Sequence, residues 1–370
     1  MKKILFMIPN LSVGGAEKVL VNLVNNLDKS KFDITVQTLF GGGVNEQFLN
    51  KDVKYKYCFK NVFRANSQIL KLFSYKFLFK RFIKEHYDII VSYLEGPTAR
   101  IVAGCQDKDT KLVSWIHIQQ ENEKNAAYSF RSYKEAKKCY SRYDRLVCVS
   151  EYVKQDFQNI FDIDKPIDIL YNTNETQQII DKAKEPVEDG VFKDDEIKIC
   201  VIGKISKRKG CDRIVRIQKK LLADGLKTHI YFLGNGIDED FVKKFIKENG
   251  IENSVTLLGY QTNPYKYLKN CDLFICASLA EGFSTAATEA LILGVPVVTV
   301  EVSGMKEMLG ANNEYGIVTE NSEEALFQGI KRMINNPDLL SYYQKKALIR
   351  GKTFNTDNTV KAIENMMLNL

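Results

Sequence analysis

Histidine is scarce in this chain, with His86, His117 and His229 the only three in 370 residues, and they stand far apart in sequence. A histidine metal centre is therefore not expected. The eight cysteines include no Cys-x-x-Cys pair, and several sit inside apolar strand-like runs. They read as reduced core residues of a cytosolic protein, not as a disulfide frame or a zinc site. No apolar run approaches the roughly 20 residues of a membrane span. Lys2-Lys3 followed by Ile4 to Ile8 imitates an export signal, but the run stops at Pro9-Asn10 and passes into Gly14-Gly15-Ala-Glu17. A first strand is the better reading. Repeats of solenoid period and low-complexity tracts are also missing, and neither Gly14-Gly15 nor Gly234-Asn-Gly236 completes the Gly-x-Gly-x-x-Gly of a dinucleotide enzyme.

What is present is length and alternation. A chain of 370 residues exceeds what one hydrophobic core usually spans, so two domains are expected. Apolar strand-like runs recur over residues 3–8, 33–38, 89–93, 111–115, 145–149 and 167–171, with helices after Gly15, Pro97 and the N-cap Ser150. A second set covers residues 197–202, 229–233, 254–258, 273–276 and 295–300. Strands alternating with helices imply parallel sheets covered by helices, an α/β class. The polar stretch 172–196 between the two sets reads as an interdomain connection.

The most informative segment is Glu281-Gly-Phe-Ser-Thr-Ala-Ala-Thr-Glu289, which follows the buried strand 273–276. Gly282, Phe283, Ser284 and Thr285 fall where a loop enters a helix, and backbone N–H groups there can approach an anionic ligand. Glu281 can meet sugar hydroxyls, and Glu289, about two turns on, can accept from a ribose diol. Taken alone, two acids near a helix are more often solvated surface. The helix then runs to Gly294, and Gly294-Val-Pro-Val-Val298 opens the next strand.

Together these residues resemble the retaining family 4 glycosyltransferases of the GT-B fold, whose signature is Glu, seven residues, Glu, a helix and Gly-x-Pro-Val-Val. With Ser303-Gly-Met-Lys-Glu307 the run is similar to the branch that builds bacterial capsule, exopolysaccharide and lipopolysaccharide. Ser284 departs from the pattern, since many members have Pro or Gly there. The resemblance implies two Rossmann-like domains with parallel sheets facing across a cleft. Residues 1–175 would bind the acceptor and 176–354 the donor, and a last helix from about 355 to 370 would return to the first domain.

Other residues gain roles from the same resemblance. Gly203-Lys204 with Lys209-Gly210 matches the family's Gly-Arg-Leu, three residues, Lys-Gly, so Lys204 and Lys209 would neutralise the donor diphosphate. Lys204 stands where Arg is usual, which turns a bidentate contact into a point-charge contact. Gly234 would line the same edge, and Tyr260 and Gln261 would pass near the nucleobase. Gly15, in a loop like the family's Gly-Gly-Ala-Glu, would approach the diphosphate from the first domain. His117 would face the donor sugar, and Glu95 is the candidate acceptor-side carboxylate. His117, Glu281, Lys204 and Lys209 are thus the catalytic candidates, with no metal and no cofactor beyond the nucleotide-sugar substrate, expected to be a UDP-sugar.

Charge is unevenly placed in a chain of net +7. Between Phe59 and His86, Lys60, Arg64, Lys71, Lys76, Lys80, Arg81 and Lys84 face Glu85 alone and interleave with Phe73, Phe77, Phe79 and Phe82. A basic, aromatic-rich amphipathic helix fits an anionic membrane surface; a core-packed helix with solvated lysines fits equally. No nucleic-acid motif accompanies the charge. The function expected is sugar transfer to a glycan acceptor on a polyprenyl diphosphate, at the cytoplasmic face of the cell membrane. The rivals are a sugar-nucleotide epimerase of related fold and a non-enzymatic membrane or nucleic-acid-binding module.

Overall fold

The computed structural model describes residues 1–188 and 190–370, and it divides into two compact units. Unit 1 comprises Met1–Asn174 with Thr356–Leu370, and unit 2 comprises Glu175–Asn355.

Unit 1 carries a parallel sheet of β1 (Lys2–Ile8), β2 (Phe32–Phe40), β3 (Lys54–Phe59), β4 (Ile89–Ser92), β5 (Lys111–Ile116), β6 (Arg145–Cys148) and β7 (Ile167–Ile169). Their spatial order is β3-β2-β1-β4-β5-β6-β7. The central strand β1 is fully buried from Ile4 to Ile8, as expected where helices cover both faces. The last helix, Thr356–Leu368, is anchored in this unit. Glu364 accepts from the Asp28 N–H at 2.7 Å, and the Lys2 ammonium donates to the Met367 carbonyl at 3.0 Å.

Unit 2 repeats the plan with β8 (Ile197–Ile202), β9 (Thr228–Leu233), β10 (Val255–Leu257), β11 (Leu273–Cys276), β12 (Val297–Val300) and β13 (Ile317–Thr319). The order is β10-β9-β8-β11-β12-β13, again all parallel. Ile199, Ile230, Leu273, Val298 and Ile330 are among the buried residues of its core. In each sheet the chain runs outward in one direction and then returns past its first strand. The switch points lie between β1 and β4 and between β8 and β11, and ligands of such sheets bind beyond the carboxyl ends there.

Three local expectations are corrected. Strands β3 and β13 go unread in the sequence because β3 is a lysine-interrupted edge strand and β13 has only three residues. The polar stretch 172–196 holds a helix, Thr176–Lys182, seated through the buried Ile179. The basic segment is not one helix. Phe59 ends β3, Ala65 turns the chain at φ +59°, and two short helices follow, Asn66–Leu72 and Tyr75–Phe82. Ser74 starts the second by accepting from the Phe77 N–H, which is N-cap chemistry that ends one helix and begins another.

Candidate functional site

The carboxyl edge of the unit 2 sheet is assembled by backbone contacts too close for side chains. A Cβ on Gly234 would lie 2.0 Å from the Gly203 carbonyl oxygen, and the Gly234 N–H donates to the Gly259 carbonyl at 2.7 Å. The loops after β8, β9 and β10 are thereby stacked on one another. Gly210, at φ +69°, holds the end of the basic loop against β11, where a Cβ would lie 2.1 Å from the Ala277 carbonyl oxygen. The Leu279 N–H donates to the Arg208 carbonyl at 2.8 Å, closing the same junction. This is the β8/β11 switch point.

Here the structure brings Lys209 and Glu281 together. The Lys209 ammonium donates to Glu281 Oε1 at 2.6 Å, with the carboxylate side chain only 11% exposed. Burial alone would lower the Lys209 pKa; the charge of Glu281, the neighbouring Cys276 and the hydrogen bond to Glu281 together offset this and hold it above the ordinary lysine value. Lys204 is exposed and forms no ion pair among the described residues. Lys209 is thus fixed and partly buried, and Lys204 is open to a ligand.

Ser284 caps the helix Thr285–Ile292 by accepting from the Ala287 N–H at 3.3 Å. The departure from Pro or Gly therefore has a local use. Phe283 is buried with its ring edge-on to Phe354, so what it offers a ligand is its backbone beside Gly282. Glu289 is 3% exposed and receives the Tyr265 hydroxyl at 3.2 Å. Tyr260 is exposed, while the Gln261 amide turns back to the Leu258 carbonyl at 2.7 Å.

In unit 1, Gly15 is the first residue of the helix Gly15–Asn26, which follows β1 and has no side-chain cap. His117 leaves β5 buried beside Tyr93, ring centroids 4.9 Å apart, and its Nε2 has no hydrogen-bond partner among the described residues. Burial pushes its pKa down to about 3, against the opposing effect of a hydrogen bond that the ring donates to the Tyr93 backbone carbonyl. At neutral pH the ring is uncharged, and Nε2 is a spare acceptor. Glu95 accepts the His117 N–H at 3.0 Å and so braces the loop that carries this ring.

Two residues of these edges carried no sequence signal that singled them out. Ser278, buried, donates to Glu281 Oε1 at 2.6 Å. Asp238 accepts the Lys207 N–H at 2.7 Å and shapes the basic loop. Their spacing from the motifs, three before Glu281 and two after Gly236, was the available clue. Asp-x-Asp pairs occur at 107/109, 162/164 and 238/240. Among the described residues no group of three His, Cys, Asp or Glu is placed to hold a metal ion, and no helix is long and apolar enough to cross a membrane.

Comparison with known proteins agrees with this geometry. Residues 13–178 match the family described as Glycosyltransferase Family 4, and residues 183–350 match Glycosyl transferases group 1. The chain is 29% identical over 368 residues to the Campylobacter jejuni N-acetylgalactosamine-N,N'-diacetylbacillosaminyl-diphospho-undecaprenol 4-alpha-N-acetylgalactosaminyltransferase, covering 96% of each chain. It is 24% identical over 322 residues to the Salmonella typhimurium lipopolysaccharide 1,6-galactosyltransferase, covering 81% of each. In shape it is similar to Anabaena HepE, crystallised with UDP and glucose, at a TM-score of 0.78, 18% identity and full coverage of both chains. The paired Rossmann-like units and both family matches lead to one statement: this chain is a glycosyltransferase of family 4 with the GT-B fold.

Proposed function

We infer that the enzyme moves a sugar from a UDP-sugar to a glycan carried on a polyprenyl diphosphate, with retention of configuration, in the building of a bacterial surface polysaccharide. The observation that carries this reading is the Lys209–Glu281 contact at the β8/β11 switch point, beside the exposed Lys204. Cleaving the anomeric C–O bond leaves positive charge on the sugar and negative charge on the departing diphosphate. Lys204, Lys209 and the N–H groups after Glu281 would stabilise the latter, and preorganised donors of this kind are the largest common source of rate enhancement. Glu281 would accept from a hydroxyl of the donor sugar and Glu289 from the ribose. His117, neutral with Nε2 spare, can accept a sugar hydroxyl but cannot supply a proton near pH 7. Metal-independent transfer is part of the proposal.

The donor is read from the UDP held by the HepE structure, and the lipid-linked acceptor from the undecaprenyl substrate in the name of the Campylobacter relative. The two short helices of the basic segment add a means of reaching such a lipid. Leu70, Leu78 and Ile83 are buried, whereas Leu72 is 76% exposed and Phe73 and Phe77 are also exposed, among the exposed Lys60, Arg64, Lys76, Lys80, Arg81 and Lys84. Exposed apolar side chains ringed by cations fit peripheral docking on the inner face of the cell membrane. Mass spectrometry of products from a panel of UDP-sugars with lipid-linked acceptors tests the reading. A product one sugar heavier is expected; donor interconversion without transfer would replace this function with that of an epimerase.

A further inference from the structure

Glu281 presents its two oxygens unequally. Oε1 receives the Lys209 ammonium at 2.6 Å and the Ser278 hydroxyl at 2.6 Å, with the Cys276 thiol 3.9 Å away. The same thiol lies 3.5 Å from the Ser278 oxygen. Every hydrogen bond that the described residues make to this carboxylate falls on one oxygen. Ser278 is 1% exposed and stands two residues beyond the end of β11, so its position is set by the sheet itself.

The two strong donors differ in what they can fix. An ammonium is a compact charge with three rotatable donors, and it stays paired while a carboxylate turns to present either oxygen. A hydroxyl has one proton on a short side chain, so its bond to Oε1 is directional. Lys209 supplies charge to Glu281; Ser278 supplies orientation.

We propose that Ser278 is a positioning residue that locks Glu281 with Oε1 toward the protein and Oε2 toward the hydroxyls of the donor sugar. It rests on the reading of Glu281 as the sugar-binding carboxylate. Recognition of the sugar then depends on Ser278, and recognition of the diphosphate does not, because Lys204 and Lys209 keep their places when the hydroxyl is removed. Oε2, as an ionised acceptor without a donor of its own, selects sugars with a hydroxyl at the facing carbon over the corresponding deoxy sugars.

The test compares the parent with Ser278→Ala, Glu281→Gln and the double variant. Calorimetry uses UDP alone and UDP-glucose, UDP-galactose, UDP-N-acetylglucosamine and UDP-N-acetylgalactosamine, followed by kinetics on whichever sugar nucleotide is turned over. Ser278→Ala is expected to leave the UDP Kd within twofold of the parent and to raise the Kd and KM of the sugar nucleotide by about tenfold, the size of a charged hydrogen bond. In the Glu281→Gln background the same change should cost less than threefold, because Ser278 acts through that carboxylate. Equal weakening of UDP and sugar nucleotide would overturn the proposal in favour of a general role in folding the loop. So would effects of Ser278→Ala and Glu281→Gln that simply multiply. A parent that binds none of these nucleotides would remove the sugar-binding reading of Glu281 first, and the role of Ser278 with it.

Discussion

The carboxyl edge of the unit 2 sheet and the basic segment of unit 1 hold cations in opposite ways. At the first, Lys209 is partly buried, paired with one carboxylate oxygen and framed by loops that contact one another through glycine backbones. At the second, Lys76, Lys80 and Arg81 are exposed on a short helix whose neighbours, Leu72, Phe73 and Phe77, are themselves exposed. The first arrangement fixes the direction of a charge, and the second fixes only its density. Direction is what a transition state needs; density is what a fluid anionic surface needs. The two regions should therefore answer differently to mutation and to salt.

The largest effect is expected from Lys209→Ala, which removes a preorganised cation and leaves the 11%-exposed Glu281 side chain without its charge partner. Losing one such contact costs about 2.7 to 4 kcal/mol of transition-state stabilisation. Turnover in the transfer assay should fall about 100- to 1,000-fold, with a smaller change in donor KM. A normal rate would take Lys209 out of the diphosphate site.

Reversing Lys76, Lys80 and Arg81 to Glu should come next, because each cation near an anionic surface is worth about 1 kcal/mol. Flotation with anionic liposomes should be lost, and 0.5 M salt should weaken parent docking while barely altering UDP affinity, since screening acts on exposed charges. Equal flotation of variant and parent would return the segment to a role within unit 1. Glu289→Ala should lower UDP affinity by about 1.5 to 3 kcal/mol, the worth of a hydrogen bond to a charged group. Calorimetry that finds unchanged affinity in a folded variant would remove Glu289 from the ribose.

Stability against pH should change as well. His117 is held at about 3 in the folded chain, and its ordinary value is 6.5. Below pH 6.5 the unfolded chain takes up a proton that the folded chain refuses, so this group makes stability fall by about 1.4 kcal/mol for each pH unit toward 3. His117→Gln should lose less melting temperature than the parent between pH 7 and pH 5. Equal losses would mean that the ring is not buried as a neutral group.

Much of this molecule could be read before folding because the relevant signals are local. Buried strands such as Ile4–Ile8 and 273–276 are continuous apolar runs, and glycine after a strand marks an edge loop whether or not its partner loop is known. Glu281 and Lys209 were each legible as candidates, but their contact was not, since 72 positions separate them and only the β8/β11 pairing brings them together. Ser278 was hidden for a different reason: a serine after a strand is ordinary turn chemistry until its hydroxyl is seen on Glu281. The basic segment misled because its apolar and charged residues keep a helical rhythm straight through Phe73-Ser74. The break is set by a left-handed Ala65 and an N-cap at Ser74, and neither disturbs that rhythm.

Amide hydrogen exchange of the parent with and without UDP tests the central claim without knowledge of the sugar. The account predicts new protection in residues 203–210 and 277–289, the loops on either side of the β8/β11 switch point, and unchanged exchange across residues 59–86. Protection of 59–86 alone, or none in the two loops at saturating UDP, would contradict it.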